Sequence, residues 1–182
     1  NTKFKIASVT KAFTAVLILQ LYEQGKIDLK TPFGKYFPSY KGNAKNIVTI
    51  EQLLTYSSAI PDDAGKLDMK TFESPLNIDD YIDMYCSGSV VGNPGEKSIY
   101  SNTEYIILTK IIENITQKSF EAVLKENILI PLKMSNSGML NSKKSITGLT
   151  KSYSIDDSTK KIALDDPYCS ENYFGAGAMY ST

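Results

Sequence analysis

A chain without histidine must find any catalytic base elsewhere, and this one has none among its 182 residues. That absence removes Ser-His-Asp and Cys-His activation and every histidine-ligated metal site. A nucleophile here needs Ser or Thr beside Lys or Tyr. Ser8-Val9-Thr10-Lys11 offers such a pair. Three residues is about one helical turn, so hydroxyl and ammonium share a face. A lysine in a desolvated pocket loses proton affinity and serves as base, or holds a neighbouring base anionic. At a helix start, developing negative charge is favoured and the Ser8 amide is placed as an oxyanion donor.

Tyr100-Ser101-Asn102 is the second such segment, preceded by Asn93-Pro94-Gly95-Glu96. In an extended strand, residues two apart point the same way, so Tyr100 and Asn102 can face one pocket. A phenol beside a lysine ammonium can lose its proton and act as general base. An asparagine amide offers both a donor and an acceptor. Each segment taken alone also has a plainer reading. Ser8 is then a helix cap with Lys11 solvated, Asn102 a cap, and Tyr100 a half-buried core ring.

Several elements must position these residues. Residues 8–24 are expected to form a long helix that Ser8 can cap and Gly25 stops. Its apolar residues, from Ala12 to Tyr22, run nearly all round, which places it inside a domain. Thr49 with Gln52 is a capping-box pattern. Asn77 caps a third helix whose first turn holds Asp79 and Asp80. Asn102 to Thr116 has the cleanest helical period, and Ser119 caps a helix through about Asn127. Residues 57–76 read as a loop. Tyr153 and Ile155, then Ile162 and Leu164, suggest a hairpin. The expectation is four or five helices and very little strand.

Composition narrows the rest. Hydrophobic residues at 42% and charged residues at 22% argue against a disordered chain. Twenty basic residues balance twenty acidic ones, so there is no electrostatic case for nucleic acid. Every basic residue is lysine, so no guanidinium clamp exists. Cys86 and Cys169 lack zinc spacing, and whether they pair stays open. No apolar run is long enough to span a membrane. The chain starts at Asn1 rather than Met and reads as a piece of a longer protein.

Together, these segments resemble the serine β-lactamase, penicillin-binding-protein and D,D-peptidase superfamily, in its class C-like branch. Phe4-Lys5-Ile6-Ala7-Ser8-Val9-Thr10-Lys11, Leu21 to Ile27, Thr49 to Thr55, Asn93 to Glu96, Tyr100-Ser101-Asn102 and Pro131-Leu132-Lys133-Met134 carry the likeness, in order and spacing. The resemblance implies an α+β fold, with residues 1–182 as a partial serine hydrolase domain holding mainly the helical lobe. The central antiparallel sheet is then largely missing, and the third motif lies beyond Thr182. It implies Ser8 as acylated nucleophile, Lys11 as its proton-transfer partner, Tyr100 as general base and later acid, and Asn102 as substrate-amide contact.

By the same resemblance, substrates are β-lactams, D-Ala-D-Ala peptides or esters, and no cofactor or metal is implied. The place of action is extracellular or the cell envelope. A catalytically silent β-lactam- or peptidoglycan-binding module, or an inactive fragment, is the competing reading. The family usually continues His-Thr-Ser-Gly after the Leu-Leu-Thr segment, whereas this chain has Tyr56-Ser57-Ser58-Ala59. With the sheet absent, the apolar face of the first helix, including Phe13, Val16 and Leu17, is expected to be exposed and open to self-association.

Overall fold

The computed structural model describes residues 2–62, 72–164 and 169–182. Residues 63–71 of the expected 57–76 loop lie outside these.

Helix α4 (Thr103–Thr116) is the centre of the molecule. It packs against α1 (Thr10–Glu23), α2 (Ile50–Leu54), α3 (Ile78–Tyr85), α5 (Phe120–Leu124) and the short α6 (Phe174–Gly177). Ile106, Ile107, Leu108, Ile111 and Ile112 are buried along it. Fully burying one such side chain is worth about 1.5–3 kcal/mol. The helix ends at Gln117, which takes a left-handed conformation, φ 55°.

The sequence marks α1 as the helix apolar on most faces, yet α1 is only half covered. Leu17, Ile18 and Leu21 are buried within this chain, so the expectation that Leu17 is left uncovered is corrected. Val16, Leu19 and Tyr22 are 44%, 47% and 49% exposed. Gly25, at φ 69°, does follow α1 as its left-handed stop.

The start of α1 also departs from expectation. Ser8 does not cap it. Ala7–Val9 forms a tight 3-10 turn, α1 begins at Thr10, and no side chain caps its first turn. Elsewhere the local signals hold. Thr49 and Gln52 form a reciprocal capping box, Asn77 accepts from the Asp79 amide, and Ser119 accepts from the Ala122 amide. After α5 the backbone widens into a π turn at Lys125–Leu129 rather than continuing as α-helix to Asn127.

Strand content is small, as expected. β1 (Phe4–Lys5), β5 (Met179–Ser181) and β2 (Gly138–Met139) form an antiparallel sheet in the order β1-β5-β2. Phe4 pairs with Ser181 and Lys5 with Tyr180. β3 (Tyr153–Ile155) and β4 (Ile162–Leu164) make the expected hairpin. Cys86 and Cys169 are both buried and are not joined in a disulfide. No helix among the described residues is long and apolar enough to cross a membrane.

Candidate active site

The turn at residues 7–9 delivers Ser8. Ala7 sits at φ 44°, a region costly for a residue with a Cβ. Thr10 holds it there: its hydroxyl donates to the Ala7 carbonyl at 2.6 Å and accepts the Met179 amide of β5 at 3.2 Å. The central strand of the small sheet thereby fixes the residue before Ser8.

Lys11 lies one turn on and is only 4% exposed, so it is no solvated surface lysine. Its Nζ donates to Ser8 Oγ at 3.1 Å, Asn102 Oδ1 at 2.7 Å and the Ala176 carbonyl at 2.8 Å. An ammonium has three donors, and all three are engaged. Asn102 therefore does not cap α4. The vacated role falls to Asp62, which accepts the Asn102 amide at 3.1 Å and the Thr103 hydroxyl at 3.4 Å. A carboxylate at that end suits the helix dipole.

Tyr100 converges on the same serine, its hydroxyl donating to Ser8 Oγ at 2.6 Å. The Lys11 Nζ lies 4.9 Å from its ring centroid. Behind it the rings of Tyr56 and Tyr105 continue a tilted stack, at 5.1 Å and 5.2 Å between successive centroids. Burial pushes all three phenols up. For Tyr56 and Tyr105 it prevails. At Tyr100, contacts with Lys11 and Ser8 and the charge of Lys11 outweigh it, and the net shift is downward. Tyr100 alone of this stack is biased toward giving up its proton.

A cleft of about 280 Å³ opens in front of Ser8, lined among others by Lys5, Asn102, Leu140, Tyr173 and Gly177. Tyr100, whose hydroxyl reaches Ser8, is 58% exposed. No cluster of acidic, cysteine or histidine side chains able to hold a metal occurs among the described residues.

All four residues singled out by type and spacing, Ser8, Lys11, Tyr100 and Asn102, thus meet at one point. Asp62, Thr10 and the Ala176 carbonyl were not legible from the sequence. Asp62 acts from a loop 40 positions away, and a carbonyl carries no residue-type signal.

A family model described as Beta-lactamase matches residues 1–182. Protein flp of Staphylococcus aureus (strain MW2) is 34% identical over 139 residues, 75% of this chain and 28% of that protein. Teichoic acid D-alanine hydrolase of Staphylococcus aureus (strain MRSA252) is 28% identical over 182 residues, 100% of this chain and 43% of that protein. The crystal structure of D-amino acid amidase from Ochrobactrum anthropi SV3 is similar with a TM-score of 0.83 at 26% identity, over 100% of this chain and 53% of that one. The chain therefore spans less than half the length of these two curated relatives.

Proposed function

Since the chain belongs to the beta-lactamase family, we propose that residues 1–182 are the nucleophile-bearing part of a serine acyl hydrolase. The observation that carries this is the convergence of Lys11 Nζ and Tyr100 hydroxyl on Ser8 Oγ, at 3.1 Å and 2.6 Å.

The geometry supports the following chemistry. Tyr100, as phenolate beside the Lys11 charge, takes the Ser8 proton as Oγ attacks an acyl carbonyl. The Ser8 amide donates to the oxygen that becomes negative. Tyr100 then returns its proton to the leaving group, and an ester is left on Ser8. In the second half Tyr100 takes a proton from water, hydroxide adds to the acyl carbon, and Ser8 leaves with the proton from Tyr100. Lys11 keeps its position throughout, steadied by Ala176. Asn102, on the floor of the cleft, contacts the amide of the substrate.

The acyl donor is a D-configured amide, ester or β-lactam. The names of teichoic acid D-alanine hydrolase and D-amino acid amidase support the D configuration. The name of teichoic acid D-alanine hydrolase also supports action in the cell envelope. The half-exposed Val16, Leu19 and Tyr22 await a cover, either further sheet or a second copy.

The test is acylation of the full-length protein. Incubation with a fluorescent penicillin and with a p-nitrophenyl D-alanyl ester is followed by intact mass and by p-nitrophenol release. Ser8 adducts that turn over support the reading. A stable Ser8 adduct without turnover assigns a binding module instead. Absence of any adduct with either reagent overturns acyl chemistry at Ser8.

A further inference from the structure

We propose that Thr14 and Thr109 are positioning residues for the acyl-transfer site, holding both peptide groups of Gly175 so that the Ala176 carbonyl meets Lys11. The inference rests on the reading above and extends it to two buried hydroxyls that touch no reacting atom.

The two threonines come from different helices, α1 and α4, and both are fully enclosed. Thr14 Oγ1 donates to the Gly175 carbonyl at 2.7 Å. Thr109 Oγ1 donates to the Tyr105 carbonyl at 2.7 Å, one turn back on its own helix. Its proton is thus committed, and a lone pair accepts the Gly175 amide at 3.1 Å. Gly175 is held on its N–H side by one helix and on its carbonyl side by the other.

The grip is close. A Cβ on residue 175 would meet Thr109 Oγ1 at 2.3 Å and Thr14 Oγ1 at 2.7 Å, so no side chain fits. The residue before it, Phe174, is held at φ 44°, ψ −135°. Such a backbone is strained for a residue with a Cβ and persists only where its surroundings dictate it. The hydrogen bond from the Gly175 amide to Thr109 belongs to the peptide that joins those two residues. One residue further on, the Ala176 carbonyl receives Lys11 at 2.8 Å.

A buried threonine that merely satisfies its hydroxyl in a core would affect stability alone. These two are placed to do more. If the Gly175 peptide relaxes, the Ala176 carbonyl leaves Lys11, and the ammonium shifts away from Tyr100. Tyr100 then loses part of what lowers its proton affinity. The phenolate needed as base appears only at higher pH.

The experiment uses full-length protein, with kcat/KM for a p-nitrophenyl D-alanyl ester measured against pH. Thr14→Val and Thr109→Val, made separately, are expected to lose about ten- to a hundredfold in kcat/KM, the scale of small misplacements around a reacting centre. Their ascending pH limb moves to higher pH. Thr14→Ser and Thr109→Ser restore both rate and limb. Where a Val variant does not fold, Thr→Ala at that position takes its place under the same expectation. Wild-type kcat/KM per folded molecule in the variants lacking the hydroxyl, or a lower rate with an unmoved limb, overturns the proposal. Ser8→Ala is run alongside. Retained turnover there removes the reading of Ser8 as nucleophile. An inactive Ser8→Ala with unmoved limbs in the threonine variants overturns the positioning role alone.

Discussion

Ser58 Oγ donates to Glu104 Oε1 at 2.7 Å, a hydrogen bond between two buried residues 46 positions apart. It ties the loop after α2 to the first turn of α4. Glu104 is 2% exposed, and its other oxygen, Oε2, has no hydrogen-bond partner among the described residues. A buried carboxylate oxygen without a partner is costly, and the neutral acid costs less.

Stability should therefore fall as pH rises. Burial pushes the Glu104 carboxyl up from its ordinary 4.5, against the weaker pull of Ser101 and Ser58. Above that value the unfolded chain has released the proton while the folded chain still holds it. The unfolded state binds fewer protons, and the stability of the fold declines with pH through the raised value. Glu104→Gln removes this dependence. Urea midpoints at pH 5 and pH 8 should differ less for the variant than for the parent. Parallel shifts in both proteins would show that Glu104 is ionised alike folded and unfolded.

Ser8→Ala should abolish covalent labelling of the full-length protein by a fluorescent penicillin and leave its melting temperature nearly unchanged, since Ser8 is exposed and caps no helix. Gel fluorescence and intact mass read the result. Labelling at wild-type level would put the nucleophile elsewhere.

Tyr100→Phe should keep the fold and lose about 10²–10⁴-fold in rate, the usual contribution of a general base. The pH profile gives a finer check. The Asp62 carboxylate raises the Tyr100 phenol, opposing Lys11. Asp62→Asn removes that charge and keeps a side-chain acceptor at the helix end. The ascending limb of kcat/KM should move to lower pH in this variant. A move to higher pH would mean that Asp62 acts on Tyr100 otherwise than through its charge.

Ala59→Gly should stabilise the chain. Ala59 lies at φ 58°, and the left-handed region costs a residue with a Cβ about 1–2 kcal/mol. The greater freedom of glycine in the unfolded chain offsets up to about 1 kcal/mol of this. A net gain of about 0.5–1 kcal/mol, a rise of one to a few degrees in Tm for a chain of this size, is expected by calorimetry. A lower Tm would show that the Ala59 methyl contributes more through packing than its backbone conformation costs.

What the sequence revealed and what it hid divide by range. Thr49 with Gln52, Asn77 and Ser119 act within three residues of themselves, and their capping roles are readable from type and spacing. Ser8 looked like one of them, but Lys11 and Tyr100 engage its hydroxyl instead. The four candidate site residues were legible because two short patterns each place two of them side by side. Their supports were not. Asp62 meets Asn102 across a loop, and Ala176 meets Lys11 across most of the chain. The central place of α4 was hidden for a related reason. Apolar residues on most faces of α1 do not tell which faces the rest of the chain covers, whereas α4 is surrounded by five other helices.

The contact between Lys11 and Ala176 joins residues 165 positions apart. A ribosome delivers Lys11 ahead of the carbonyl that receives it, by 165 positions, at roughly 5–20 residues per second. Through that interval the nascent chain carries Ser8 without β5 beside β1 and without the turn at Ala176. The Ser8–Lys11 pair is thus synthesised before its Ala176 support. Only when β5 lies between β1 and β2 is the turn that carries Ala176 in place beside Lys11. A translation product cut short before residue 176 would carry the complete Ser8-to-Lys11 and Tyr100-to-Asn102 segments and still lack the carbonyl that holds Lys11 in place.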